Sequence, residues 1–159
     1  MAVRILMTPA GYHKVLTDLN LHRQVLRPQN IIALEEARAH GDLSENAEYD
    51  AAKDRQSHLE GRILALEANF SLAEVIDIST IAPSDRVIFG TTVELEDEDT
   101  SEHLTYRIVG TEEANVKAGL VSYTSPIGRA VLGRSVGDSV RFETPKGSRT
   151  LIINAVHYR

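Results

Sequence analysis

Residues 52–73, AKDRQSHLEGRILALEANFSLA, decide the fold of the first half of the chain. Positions spaced alternately by four and three residues in this stretch are almost all apolar. The positions are Ala52, Gln56, Leu59, Ile63, Leu66, Phe70 and Ala73. A strict 4-3 spacing is typical of a helix that packs one narrow stripe against a partner helix, as in a coiled coil.

A weaker stripe of the same kind occupies residues 12–37 and predicts the partner helix. Thr8 can cap free amide groups and Pro9 is tolerated in a first turn, so the helix should start there. Pro28 should kink or interrupt it, and Gly41 should end it. Two helices of about 30 residues form an antiparallel hairpin whose arms are on the order of 45 Å long. No third helix follows, so a projecting hairpin is favoured over two helices folded back into a bundle.

The rest of the chain changes to strand-like segments separated by Pro and Gly. The predicted strands are 75–78, 86–89, 92–95, 104–109, 120–123, 140–143 and 150–156. One short helix should start at Ser125-Pro126 and end at Gly133. The sequence therefore predicts an α+β protein with a helical hairpin at 1–74 and, at 75–159, a small antiparallel sheet with one short helix.

Composition excludes several classes of protein. The 159 residues carry 17 Lys and Arg against 23 Asp and Glu, a net charge of −6, so no general affinity for nucleic acid is expected. No Cys is present, which excludes disulfides, Cys-ligated zinc and thiol catalysis. No apolar run is long enough to span a bilayer. We expect a cytoplasmic protein with no membrane partner, and a monomer.

The loop between the two helices holds the most informative residues, GDLSENAEYD at 41–50. Asp42 and Glu45 are three apart, so at a helix start both carboxylates would face the same way. Two outward carboxylates could share a Mg²⁺ ion, but they make an incomplete site whose other ligands must come from a partner. The alternative is structural: Asp42 caps the helix and Glu45 completes a capping box.

Basic residues flank this acidic tip. Arg38 and Lys53 could neutralise neighbouring acids through ion pairs along or between the helices. Alternatively, they could contact a phosphate backbone once the tip is inserted into a partner. A second acidic cluster, at 94–102, lies between two predicted strands and is interpreted as a solvated hairpin loop.

With its motifs in order over nearly the whole chain, the sequence resembles the bacterial Gre transcript-cleavage factors. In the first half, the matching residues are Met7-Thr8, Gly11, Arg27-Pro28, Glu36-Ala37-Arg38, the tip at 41–49 and the run 59–63. In the second half, they are the runs 87–90, 106–110, 125–130, 136–138 and 144–147.

This resemblance implies a coiled-coil hairpin followed by an FKBP-like domain, and a role in transcription elongation. The second domain would dock beside the secondary channel of RNA polymerase, with Ser125, Pro126 and Ile127 in the docking segment. The hairpin would enter the channel, where Asp42 and Glu45 would help to hold Mg²⁺ at the polymerase active centre. The polymerase would then cleave the 3′ end of backtracked RNA.

The resemblance also places Arg38 and Lys53 at the positions that contact the extruded RNA. The protein would not be an enzyme itself, because it stimulates an activity of the polymerase. Two competing functions are a Gre-like inhibitor that occupies the same channel and a prolyl isomerase or chaperone-like module. An intact acidic tip disfavours the first. Only three Phe, five Tyr and no Trp disfavour the aromatic pocket that the second requires.

Overall fold

The computed structural model describes residues 3–41 and 46–159 and has an α+β architecture. Its helices are α1 (Pro9–Leu21), α2 (Arg27–Ala39), α3 (Ala47–Leu72) and α4 (Pro126–Val131). Its strands are β1 (Ile5–Met7), β2 (Ala73–Val75), β3 (Thr92–Asp97), β4 (His103–Val109), β5 (Leu120–Ser122), β6 (Ser139–Thr144) and β7 (Gly147–His157).

Residue contacts divide the chain into two compact units. The first comprises residues 13–72, and the second combines residues 3–12 with 73–159. The domain limits expected from the sequence, 1–74 and 75–159, stay a prediction. No helix in the described part of the chain is long and apolar enough to cross a membrane.

The predicted interruption at Pro28 takes the form of a widened turn. Between α1 and α2 the helix continues through a π-helical segment, His22–Leu26. There the N–H of Arg27 bonds the carbonyl of His22, five residues earlier instead of four. Pro28 follows as the second residue of α2, directly after this widened turn.

Helices α2 and α3 run antiparallel, as the contacts between them show. Arg27 donates from Nε and Nη2 to the two carboxylate oxygens of Glu60, both at 2.8 Å. Further along α2, Asn30 Nδ2 donates to the carbonyl oxygen of Ala52 at 3.0 Å. A residue later in α2 therefore contacts a residue earlier in α3, which is the arrangement of antiparallel helices.

The stripe identified in residues 52–73 supplies the buried face of α3. Ala52, Ile63 and Leu66 are all but inaccessible to solvent, and Leu59 and Phe70 are half-buried. Outside the stripe, Leu64 is 67% exposed. One narrow face therefore carries the packing of this helix, as the spacing predicts.

The second unit contains a five-stranded sheet in the order β5-β4-β3-β7-β6. The prediction of a purely antiparallel sheet is wrong, because β5 pairs parallel to β4. Strand β1 pairs parallel to β2 in a separate two-stranded sheet. The predicted strand at 86–89 does not form a ladder, since Arg86 makes only an isolated bridge with Ser135. Its apolar residues Val87 and Phe89 are nevertheless buried in the core.

A capped helix start joins distant parts of the second unit. Thr8 Oγ1 accepts a hydrogen bond from the N–H of Gly11 at 3.1 Å, which confirms the predicted cap. The Glu113 carboxylate accepts from the N–H of Thr8 at 3.3 Å, from the N–H of Gly110 at 3.2 Å and from the Thr8 hydroxyl. A Cβ atom at Gly11 would overlap this carboxylate, so the close approach requires glycine.

Candidate functional site

The tip of the helical hairpin is described up to its two edges. Asp42 and Glu45, the predicted metal ligands, lie outside the described residues. On one side, α2 ends at Ala39, and Gly41 has a φ of +111°, a conformation that favours glycine. On the other side, α3 begins at Ala47. Residues 40–46 therefore connect the ends of two antiparallel helices, and Asp42 and Glu45 belong to this connection in the sequence.

Asn46 ties these two helix ends together. Its Nδ2 donates at 2.6 Å to the carbonyl oxygen of Ala37 near the end of α2, which also accepts from the N–H of His40 at 3.2 Å. Its Oδ1 accepts from the N–H of Tyr49 at 3.1 Å, satisfying a free amide in the first turn of α3. The capping alternative placed this role at Asp42, whereas the structure places it at Asn46. The sequence carried the signal, because Asn is among the preferred N-cap residues.

The two predicted RNA-contacting residues are exposed on the flanks of the tip. The guanidinium carbon of Arg38 lies 5.9 Å from the centre of the Tyr49 ring, within cation–π range. Lys53 Nζ donates to the side-chain oxygen of Gln56 at 3.1 Å. Within 3–41 and 46–159, neither makes an ion pair, so the charge-neutralising interpretation finds no support among these residues.

A second side-chain contact, between His40 and Glu48, links the end of α2 to the first turn of α3. His40 Nδ1 is 3.0 Å from the Glu48 carboxylate, and both side chains are largely exposed. Such an exposed pair contributes little to stability. It joins the same two helix ends as Asn46, with Asn46 making the less exposed connection.

The predicted docking segment opens helix α4 in the second unit. Ser125 Oγ accepts from the N–H of Gly128 at 3.1 Å, so Ser125 is the N-cap and Pro126 occupies the first turn. The three residues Ser125, Pro126 and Ile127 line an apolar cleft of about 330 Å³. Val116, which is 65% exposed, and Phe142 line the same cleft.

This cleft brings together residues that the sequence keeps apart. The sequence predicts the α4 side of the cleft but not Val116 and Phe142, because no periodic pattern relates them to α4. Phe142 is the single aromatic side chain among the described residues that line it.

The acidic cluster at 94–102 contains a buried carboxylate that was not expected from the sequence. Asp97 is 4% exposed and accepts from the N–H groups of Asp99 and Thr100 at 2.9 and 3.1 Å. Arg149 also donates to it from Nε and Nη2, at 3.0 and 2.8 Å. The amide of Thr100, the arginine and the amide of Asp99 hold the pKa of Asp97 below its ordinary value. This acid is a structural anchor of the hairpin turn.

Comparison with known proteins assigns both parts of the chain. Residues 5–75 match the family described as transcription elongation factor, N-terminal, and residues 82–158 match transcription elongation factor, GreA/GreB, C-term. "Transcription elongation factor GreA" of Rhizobium leguminosarum bv. trifolii is 51% identical over 158 residues, covering 99% of each chain. The GreA of Beijerinckia indica is 52% identical over 153 residues, 96% of this chain and 97% of its own.

A solved structure of similar sequence is that of the GreA factor homolog 1 (Gfh1) protein of Thermus thermophilus. It is 34% identical, covers 97% of this chain and 99% of its own, and superimposes with a TM-score of 0.43.

The chain belongs to the GreA/GreB family of transcription elongation factors. Within that family it is a transcription elongation factor of the GreA type, the name that its curated relatives carry over nearly their full length. Such a factor acts with RNA polymerase and is not itself an enzyme. The alternative of a Gre-like inhibitor is not favoured.

Proposed function

We propose that this elongation factor inserts its helical hairpin into the secondary channel of RNA polymerase and stimulates Mg²⁺-dependent cleavage of backtracked RNA. The observation that carries the proposal is the position of Asp42 and Glu45. Both belong to the seven-residue connection, residues 40–46, between the ends of two antiparallel helices, α2 and α3. A carboxylate pair at the end of a long narrow arm can be delivered into a channel that the second unit could not enter.

Asp42 and Glu45 would hold the shared Mg²⁺. Oxygen ligands suit this ion, and two carboxylates leave most of its six positions to other groups. Among residues 3–41 and 46–159, no group of three or more His, Asp or Glu side chains is arranged to hold a metal. The remaining ligands would come from the polymerase and its RNA, so the isolated protein would bind Mg²⁺ weakly. When bound, the ion would activate water and stabilise charge on the phosphodiester.

The residues around the acids would present them and guide the RNA. Asn46 bonds the end of α2 and the first turn of α3, so it would keep the two helix ends that flank the acids together. Arg38 and Lys53, which are exposed and make no ion pair among the described residues, would contact phosphates of the extruded 3′ end. The arm would contribute orientation and local concentration at the polymerase active centre.

The second unit would anchor the factor beside the channel. The cleft lined by Ser125, Pro126 and Ile127 offers apolar surface with Val116 exposed at its rim. An exposed apolar cleft in a soluble domain is suited to a protein partner. We also propose that the arm is a coiled coil, that the second unit is FKBP-like, and that the factor works as a monomer in the cytoplasm.

The decisive test uses purified elongation complexes stalled in a backtracked position, with the RNA labelled at its 5′ end. Adding the protein with Mg²⁺ should shorten the RNA and restore extension when nucleotides are supplied. A complex incubated without the protein gives the intrinsic cleavage rate. Binding without faster cleavage would overturn the proposal and indicate an inhibitor, whereas no binding would overturn the partner as well.

A further inference from the structure

A cleft of about 450 Å³ lies between the two helical arms of the first unit. Leu26, Ala33 and Leu59 provide apolar lining, and Asn30, Arg55 and His58 are among the polar residues around it. Pockets that enclose small molecules commonly have this size and this mixture of apolar wall and few polar groups. Its described lining shares no residue with the cleft at α4.

The π-helical segment His22–Leu26 forms one edge of the cleft, through His22 and Leu26. Isolated π-turns within α-helices occur frequently at functional sites, because they displace side chains from the regular helical position. The small side chain of Ala33 leaves space on the neighbouring turns of α2. The cleft is thus a consequence of local sequence on both sides of Pro28.

Asn30 contributes a hydrogen-bond acceptor to the cleft. It is 8% exposed, and its Nδ2 donates to the carbonyl oxygen of Ala52. Its Oδ1 accepts no hydrogen bond from the residues that the structure describes. Every fully buried side-chain polar atom among those residues has a partner, so this oxygen is accessible to solvent, and Asn30 is a lining residue of the cleft. A ligand with an N–H group could satisfy it.

The charge of the cleft favours an anion. No Asp or Glu is among the described residues that line it. Arg62 and His22 line it but are both paired with Asp18, at 3.0 and 3.1 Å. Arg55 and His58 have no hydrogen-bond or ion-pair partner within 3–41 and 46–159. On a chain of net charge −6, this is a local surface able to hold phosphate.

We propose that this cleft binds a nucleotide. The base would lie on Leu26, Ala33 and Leu59, with an N–H of its edge donating to Asn30 Oδ1. The phosphate would contact the Arg55 guanidinium and the His58 ring. The cleft accommodates about one nucleotide by volume. The same chemistry is offered by a free nucleoside phosphate and by one unit of an RNA strand, and the inference does not depend on transcript cleavage.

The test is titration of the full-length protein with GMP, AMP, UMP, CMP and, separately, inorganic phosphate. Resonances of the His58 and His22 rings in NMR spectra report occupation of the cleft. We expect a saturable shift with at least one nucleotide, and binding of inorganic phosphate that is about tenfold weaker or more, because the base contacts are then lost. Absence of a saturable shift with all four nucleotides, or equal affinity for inorganic phosphate, would overturn the proposal.

Three variants localise the site. Arg55→Gln should weaken nucleotide binding about tenfold or more, through loss of a charge-assisted hydrogen bond. Arg134→Gln, at an exposed arginine of the second unit, is the matched control and should bind normally. Ala33→Leu should fill the cleft and abolish binding while the circular dichroism spectrum stays helical. Unchanged affinity in both Arg55→Gln and Ala33→Leu would overturn the assignment of the cleft.

A short single-stranded RNA distinguishes the two sources of the nucleotide. Competition by the RNA for the bound mononucleotide would identify a strand as a ligand. Mononucleotide binding without such competition would identify the free nucleoside phosphate. The readout needs no polymerase, so failure here leaves the proposed role in transcript cleavage unaffected, and the reverse also holds.

Discussion

The side-chain amide of Asn46 lies 2.6 Å from the carbonyl oxygen of Ala37, and this hydrogen bond joins the end of α2 to the start of α3. Asn46→Ala should remove both this bond and the cap on α3, at a cost of about 1 kcal/mol from the cap alone. Asn46→Asp keeps an acceptor for the N–H of Tyr49 but has no donor for Ala37. We expect intermediate stability for Asn46→Asp, measured by hydrogen exchange at Tyr49 and Asp50. Equal protection in all three proteins would contradict the two-bond role.

Asp42→Asn tests the metal role of the tip acids. The neutral amide is a poor Mg²⁺ ligand, and loss of a charged oxygen should slow stimulated cleavage by roughly a hundredfold. Because α3 takes its cap from Asn46, the variant should keep its helical content and its affinity for polymerase. Raised Mg²⁺ should restore part of the activity. Full activity at ordinary Mg²⁺ would exclude a ligand role for Asp42.

Val116→Asp tests the docking cleft. A carboxylate placed at the rim of an apolar interface has no partner there, so binding to polymerase should weaken by roughly tenfold. Val136→Asp is the matched control, because Val136 is also exposed, at 40%, but does not line the cleft. Affinity is measured by competition with a labelled copy of the unaltered protein. Similar losses in both variants would argue against a specific surface.

Gly11 and Gly61 should respond in opposite ways to the same substitution. At Gly61 a Cβ atom meets nothing within 4 Å, so Gly61→Ala should stabilise α3 by about 1 kcal/mol through helix propensity. At Gly11 the added atom overlaps the Glu113 carboxylate, which is held by Thr8 and Gly110. Gly11→Ala should therefore lower the melting temperature, despite the same gain in propensity. Stabilisation by both substitutions would show that Glu113 moves at no cost.

Asp97 should make the stability of the second unit depend on acidity. Its pKa is lower in the folded state than in the unfolded chain, so the unfolded chain binds a proton first as the pH falls. The contribution of Asp97 to stability is complete above its unfolded pKa and is lost as the pH falls through its folded pKa. Asp97→Asn should be less stable at neutral pH and should lose less on acidification. Thermal unfolding between neutral and acidic pH measures this, with Asp99→Asn as the control.

Sequence periodicity predicted the helical arms well because their packing repeats along one stripe. Ala52, Ile63 and Leu66 are buried where the 4-3 spacing puts them. The strands were predicted less well, since alternation reports burial rather than pairing. Val87 and Phe89 are buried without joining a strand, and the parallel pairing of β5 with β4 has no local signal.

The candidate sites likewise contain some residues that the sequence predicts and others that it does not. The acids at the tip and the residues that open α4 are contiguous in sequence, so a motif identifies them. Val116 and Phe142 reach the α4 cleft through the tertiary fold, and the Asp97–Arg149 pair joins residues 52 positions apart. Such contacts depend on strand order, which propensity and spacing do not specify.

The division of the second unit into residues 3–12 and 73–159 imposes an order on its assembly during protein synthesis. Strand β1 and Thr8 leave the ribosome first, but their partners, β2 and Glu113, emerge only after the whole arm. The arm has its contacts within residues 13–72, so it can fold while β1 is still unpaired. A ribosome that stalls before β2 has emerged therefore displays a finished arm and an unpaired strand β1, the kind of edge that chaperones and proteases recognise.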